Sequence, residues 1–331
     1  MNKRNKKVSV GIVGVGHLGK HHVKHLAAMD NVECVGFYDI DEARAKVISD
    51  KYNVKSYDSL EALLSDCDAV TIVTPTDTHF NVASDCLTAG KHVFIEKPIT
   101  KSVAEAEQLL TLANTNEVLI QVGHIERLNP ALVPLKNYSI SPKYIEIQRL
   151  APYDVRGTDV PVVLDKMIHD IDILLFLVNS EVESIDANGI SILTDSIDIA
   201  NARIRFKNGT IANLTSSRVA QDHVRKTKMF QQDLYITIDF LLGLTEIYRV
   251  LDTDEPDANA IQDVPFHYGG KTKRIVYEKP DLPSFDALKE ELENFTNSVK
   301  GNATPIVDGQ AGKNALELAT NIHDLILEDL H

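Results

Sequence analysis

Several groups of residues in this chain have the types and spacing to do chemistry. The first lies in Val8 to Gly19, VSVGIVGVGHLG, where a β-branched run (Val8, Val10, Ile12, Val13) feeds Gly14-x-Gly16-x-x-Gly19. Behind it come a helical stretch (Lys20 to Met29), a second apolar run (Val32 to Tyr38) and Asp39. Strand, glycine turn, helix, strand and an acid about 20 residues on is the spacing of a dinucleotide-binding unit. Gly14 permits the tight turn, Gly16 leaves room for a pyrophosphate against bare backbone, and Gly19 lets helix and strand pack closely. His17 and Leu18, between these glycines, are expected to meet the same ligand. The helix N-terminus offers the phosphates free N–H groups and a favourable dipole. Asp39 can accept hydrogen bonds from the adenosine ribose hydroxyls, and its charge repels a 2′-phosphate, so the pattern favours NAD over NADP. The plainer alternative is a glycine-rich βα turn that holds no ligand.

Further candidates follow the later strands. Thr74-Pro75-Thr76 stands where a doubly wound sheet binds its ligand, so Thr74, Pro75 and His79 are cofactor-side candidates. Threonines that simply cap a helix would look the same. Glu96-Lys97-Pro98 ends the run His92 to Ile95. An ammonium at that edge can hydrogen-bond a substrate hydroxyl and stabilise negative charge growing on its oxygen. Glu96 could hold it in place, and a surface ion pair is the competing reading. In Asp165-Lys-Met-Ile-His169-Asp170-Ile-Asp172, helical spacing puts Asp165, His169 and Asp172 on one stripe, with Asp170 away from it. A histidine flanked by carboxylates has the fixed tautomer and basicity of a general base. Satisfied core polarity competes, and no cysteine or second histidine stands at zinc-ligand spacing, so no metal is expected. Last, Glu126, Arg127 and Asn129, with Arg149, Tyr153 and Arg156 downstream, form a possible substrate group. Arginine forks suit carboxylate or phosphate, which points to an anionic substrate.

These residues need elements to carry them. From Val8 to about Val122 apolar runs (Ala69–Val73, His92–Ile95, Val118–Val122) alternate with helical patterns, which implies a parallel sheet covered on both faces. Beyond Gly123 the rhythm changes. A strand at Tyr144–Leu150 and a helix at Asp165–Val178 precede long alternating strands at Val182–Ile192, Ile199–Phe206 and Thr210–Ser217. Two more strands are expected between Lys226 and Val250. Lys207-Asn208-Gly209 is a hairpin signal, so this sheet should be mostly antiparallel. Helical patterns at Phe285–Val299 and Gly312–Leu330 close the chain. The expected class is therefore α/β, a Rossmann doubly wound domain (1–123) followed by an α/β domain with an open, mostly antiparallel sheet (124–331). A return of the C-terminal helix to the first domain is left open.

Size and composition bound the function. At 331 residues there is chain for about two domains. A net charge of −14 argues against nucleic-acid binding. No apolar run reaches the length of about 20 residues that a membrane helix needs, and the N-terminus does not read as a signal peptide. Cys34, Cys67 and Cys86 lack metal spacing and fit a reducing, cytoplasmic setting.

Taken together, Gly14-x-Gly16-x-x-Gly19 with Asp39, Thr74-Pro75, Glu96-Lys97-Pro98 and Asp165-x-x-x-His169 resemble the glucose–fructose oxidoreductase/inositol dehydrogenase (Gfo/Idh/MocA) family over essentially the whole chain. The resemblance implies Lys97, Asp165 and His169 as catalytic residues, NAD as cofactor, and an open sheet used in oligomer contacts, a dimer or tetramer. More narrowly, GHIERLNPAL and QRLAPYDVRGTDVPVVLDKMIHDIDILL look like members that oxidise C3 of UDP-N-acetylglucosamine and pass the 3-keto sugar nucleotide to an aminotransferase. Two rivals remain. One is a dehydrogenase of a free polyol or sugar, which has no need of the arginines. The other is a non-catalytic NAD-binding regulator, which has no need of Lys97, Asp165 and His169.

Overall fold

The computed structural model describes residues 7–154, 160–253, 256–257 and 260–330. They form two compact units, Met1–Ile125 with Asp286–Glu317, and Glu126–Phe285 with Leu318–His331. In the first, strands β1 (Val8–Val13), β2 (Val32–Tyr38), β3 (Ala69–Ile72), β4 (His92–Glu96) and β5 (Ile120–Gly123) make a parallel sheet of order β2-β1-β3-β4-β5. Every residue of β3 and β5 is buried, as a sheet covered on both faces requires. Helices α1 (Gly19–Ala28), α2 (Glu42–Tyr52), α3 (Leu60–Asp66), α4 (Thr76–Thr88) and α5 (Val103–Thr115) connect the strands. Their ends follow local chemistry: Asp41 and Ser59 cap α2 and α3, and Ser102 with Glu105 forms a capping box on α5. The later helix α7 (Ala287–Val299) adds Leu288, Leu292 and Phe295 to the core beneath β1 and α1.

The second unit is built on a nine-stranded sheet. Its strands are β6 (Tyr144–Leu150), β7 (Val182–Ile190), β8 (Ile199–Phe206), β9 (Ile211–Ser217), β10 (Val224–Gln231), β11 (Leu234–Asp239), β12 (Leu244–Leu251), β13 (Gln262–Tyr268) and β14 (Lys271–Glu278). The order is β13-β14-β12-β11-β10-β6-β9-β8-β7, antiparallel except between β6 and β9. Alternation decides the faces. Ile145, Ile147, Leu214, Met229, Ile236 and Ile247 point into the core with α6 (Ile168–Val178), whereas Tyr144, Phe230, Tyr235, Tyr248 and Tyr277 form a row of rings on the other face, stacked in its middle and tilted at its ends. Neighbouring ring centroids in that row lie 4.6 to 5.8 Å apart. The last helix, α8 (Gly309–Asp329), is divided between the units after Glu317.

The α/β class and the mixture of one parallel and one mostly antiparallel sheet agree with the sequence. The strand count does not. Three strands, β10 to β12, occupy the region where two were expected, because the turns at Gln232-Asp233 and Phe240–Gly243 are short and are marked only by Asp233 and Gly243, both at positive φ. The hairpin β13–β14 also escaped notice, since its exposed edge residues do not alternate cleanly. The helix at Asp165 is not uniform either. Residues Val163–Met167 form a π-helical turn, with the Ile168 N–H bonded to the Val163 carbonyl five residues back, before regular α6 begins. Helical spacing from Asp165 to His169 therefore does not hold as read.

Candidate active site

In the first unit β1 has β2 on one side and β3 on the other. Loops leaving β1 and β3 diverge from this reversal of strand order, the place where open α/β sheets bind ligands. A cavity of about 980 Å³ occupies it, lined by Gly14, Gly16, His17, Asp39, Thr74 and Pro75 together with Lys20, Ile40 and Arg44. Gly14 has φ +88°, and a Cβ there would stand 2.7 Å from the Val73 carbonyl oxygen. A Cβ on Gly19 would collide with the Gly14 carbonyl oxygen. Over Gly16 a Cβ would meet nothing within 4 Å, so bare backbone faces open space. That opening fits a dinucleotide's phosphates, which need close approach to backbone N–H groups.

Asp39 is buried at the rim of the cavity. Its Oδ2 accepts the Val15 N–H at 2.7 Å, and its Oδ1 accepts the Asp41 N–H at 2.8 Å. The Arg44 guanidinium lies 3.3 and 3.4 Å from the two oxygens. A carboxylate has about four lone-pair sites, and the two N–H groups take one on each oxygen, so ribose hydroxyls would take the sites that now face Arg44. Lys20, Ile40 and Arg44 were missed in the sequence. A cation in the helix turn just after Gly19, and another soon after Asp39, were the available signals. Leu18, Gly19, His79, Glu96 and Lys97 lie outside the cavity lining.

Lys97 follows β4 and is half-buried, next to Pro98 across a cis peptide bond. The Glu96 carboxylate meets His22 of α1, with Oε1 3.1 Å from Nε2. His79 is buried behind the cavity wall, with Nδ1 2.9 Å from the Pro98 carbonyl oxygen and Nε2 2.9 Å from that of Thr74.

In the second unit His169 is half-buried in the first turn of α6, and Asp165 sits in the π-helical turn, 3.4 Å from Lys166 Nζ. The arginines expected to meet an anion face protein carboxylates. Arg127 donates to both Asp172 oxygens, at 2.8 and 2.7 Å, and stacks its guanidinium 4.9 Å from the Phe176 ring centroid. Arg149 donates to both Asp170 oxygens and, at 3.2 Å, to Glu126. Burial alone would lower the Arg149 pKa, but the Asp170 and Glu126 carboxylates outweigh it and raise it above its ordinary value. Asp172 is buried as well, so its pairing reflects the rule that buried charges find partners. Asn129 donates to Glu126 and to the Phe240 carbonyl. Tyr153 is exposed. Arg156, the remaining arginine of this set, lies outside the described residues.

Residues 8–124 match the model of the oxidoreductase family with an NAD-binding Rossmann fold, and residues 154–237 match the GFO/IDH/MocA C-terminal domain. The UDP-N-acetylglucosamine 3-dehydrogenase of Acidithiobacillus ferrooxidans is 36% identical over 313 residues, 94% of this chain and 95% of that protein. The chain belongs to the Gfo/Idh/MocA oxidoreductase family. A solved structure of the same Acidithiobacillus enzyme superimposes with a TM-score of 0.87 at 34% identity, covering 98% of this chain and all of that one. The myo-inositol 2-dehydrogenase of Thermotoga maritima is 28% identical over 93% of both chains. The family member is thus an NAD-dependent oxidoreductase, and the cavity over Gly16 has the form its cofactor requires. Among the described residues no helix is long and apolar enough to cross a membrane.

Proposed function

We propose that this chain oxidises the C3 hydroxyl of UDP-N-acetylglucosamine, or of a close UDP-sugar, to the 3-keto sugar nucleotide. The observation that carries the proposal is likeness to the Acidithiobacillus UDP-N-acetylglucosamine 3-dehydrogenase over nearly the full length of both chains. NAD, when bound, supplies the hydride acceptor. Gly14, Gly16 and His17 would seat its phosphates, Asp39 its ribose, and Thr74 and Pro75 the remaining wall, with Leu18, Gly19, His79 and Glu96 standing outside that lining. His169 takes the proton of the hydroxyl being oxidised. Lys97 orients that oxygen and stabilises alkoxide character, as a fixed positive charge does best in a partly dry site. Asp165 holds the sugar or the imidazole. Glu126, Asn129, Tyr153 and the arginines contribute to the sugar-nucleotide side.

Cofactor binding falls to residues 1–123, and substrate recognition and self-association to residues 124–331. Row Tyr144–Phe230–Tyr235–Tyr248–Tyr277 on the outer sheet face supports a homo-oligomer, because an open aromatic face is a poor surface for a lone soluble chain. A keto sugar nucleotide suits an aminotransferase as the consuming enzyme, in the cytoplasm where Cys34, Cys67 and Cys86 stay free thiols.

A second reading, dehydrogenation of a free polyol, draws on the engagement of Arg127 and Arg149 with Asp172, Asp170 and Glu126. Arginines neutralised within the protein are poor anchors for a diphosphate. Incubation with NAD and UDP-N-acetylglucosamine, plus an aminotransferase to draw off the ketone, should yield the amino sugar nucleotide. Calorimetric titration with UDP should show binding. NADH formed from myo-inositol, with neither UDP binding nor amino sugar, would establish the second reading.

A further inference from the structure

Glu96 and Pro98 flank Lys97 in sequence, and a buried histidine grips each of them. His22, fully buried on α1, meets the Glu96 carboxylate at 3.1 Å and lies edge-on to Phe94 of the same strand at 5.6 Å. Room for that carboxylate is provided by Gly123 on β5, where a Cβ would stand 2.8 Å from Glu96 Oε2. On the other side of Lys97, His79 is 1% exposed and lies between two loops, its Nδ1 2.9 Å from the Pro98 carbonyl oxygen and its Nε2 2.9 Å from that of Thr74, a neutral ring donating to one of the two. Thr74 lines the cofactor cavity, so a single ring ties the loop carrying Lys97 to the cavity wall.

Neither histidine is a cheap way to fill a core. An imidazole buried with an unmet ring nitrogen costs free energy that a leucine or phenylalanine would not. His22 Nδ1 is buried without a hydrogen-bond partner, so packing alone does not account for this residue. A lysine has a long flexible stem, and where its ammonium reaches depends on how firmly its backbone is held. Displacement by about 1 Å can cost roughly a hundredfold in rate.

We propose that His22 and His79 are positioning residues that fix the main chain on both sides of Lys97. This rests on the reading of Lys97 as the group that polarises the substrate hydroxyl. His22 acts through the Glu96 side chain and His79 through the Pro98 carbonyl, and neither touches the reacting atoms. The two grips are independent, one reaching α1 and the other α4. Cutting either should loosen Lys97 without emptying the cofactor cavity.

The test compares His22→Leu, His79→Ala and His79→Gln, each with Lys97 intact and in a Lys97→Ala background. With UDP-N-acetylglucosamine or myo-inositol, whichever reduces NAD, His22→Leu and His79→Ala should lower kcat by about 10- to 100-fold. Their Kd for NAD should stay within about threefold, and His79→Gln, which keeps an amide donor, should recover part of the loss. In the Lys97→Ala background the same substitutions should cost little more, because residues acting through one group are not additive. The apoprotein gives a readout free of turnover: acetylation of Lys97, followed by peptide mass spectrometry, should quicken severalfold in His22→Leu and His79→Ala relative to the other lysines. His22→Leu should not lower Tm. Equal losses in both backgrounds, or unchanged Lys97 acetylation, would overturn the positioning role while leaving that of Lys97 standing. Parental turnover in Lys97→Ala alone would remove the role of Lys97 and this proposal with it.

Discussion

Arg149 on β6 and Asp170 on α6 form a buried two-pronged ion pair. The guanidinium Nε and Nη2 donate to the two carboxylate oxygens at 2.8 and 2.9 Å, and both residues are at most 5% exposed. The pair fixes the helix one residue beyond His169 to the middle of the large sheet. Removing one member strands the other charge in the core, which typically costs about 3–5 kcal/mol. Arg149→Met should therefore lower the denaturant midpoint sharply, and Arg149→Met with Asp170→Leu should regain much of the loss. A single variant as stable as the parent would show that the pair carries no net weight.

The second and third glycines of the turn should fail in different ways. Gly19 has no room for a Cβ against the Gly14 carbonyl, whereas Gly16 has open space. Gly19→Ala is expected to lower Tm by several degrees. Gly16→Ala should leave Tm nearly unchanged yet raise the NAD Kd by about tenfold or more, since its methyl occupies the space the pyrophosphate needs. Thermal melts with and without NAD separate the two, and a Gly16→Ala protein that binds NAD like the parent would contradict the role given to that opening.

Asp39 and Arg44 are expected to set the cofactor preference together. While the carboxylate is present it repels a 2′-phosphate and engages the guanidinium at 3.3 Å. Asp39→Ser removes the repulsion and releases Arg44 toward a phosphate, a group that arginine binds well. The ratio of kcat/KM for NADP to that for NAD should rise by about tenfold or more, roughly the weight of one charge-assisted contact. An unchanged ratio would place the selectivity elsewhere.

Acid stability should carry the signature of Asp198. Burial tends to raise its pKa, but N–H groups of Leu193, Ile192 and Thr194 and the Thr194 hydroxyl outweigh that and hold it at about 2. A folded pKa below the ordinary value of 3.8 means stability that is fully present above about pH 4 and lost as pH falls toward 2. The difference amounts to about 2 kcal/mol. Asp198→Ala should be less stable at neutral pH and show a shallower fall on acidification, measured by urea unfolding across that range. Parallel curves for the two proteins would refute the assignment.

Much of the first unit was legible because its signals are local. Gly14, Gly16 and Gly19 are dictated by backbone conformation and close approach within one turn, and the period-two and helical patterns around them name the elements that hold the turn. The family and the NAD cofactor follow from the same short stretches with Asp39, Lys97 and His169. Arg127 and Arg149 were read as forks awaiting an anion, and nothing in their spacing reveals that Asp172 and Asp170 meet them. Those partners lie 45 and 21 residues away in sequence. The π-helical turn at Val163–Met167 likewise shifts Asp165 out of the helical register that residue counting assumes. Sequence alone thus determined which residue types stand at the strand ends and what ligand the glycine turn is shaped for. Tertiary structure alone decided which charges are neutralised inside the protein, and that two buried histidines flank Lys97, because pairing between side chains depends on the meeting of elements that the chain's local rules do not encode.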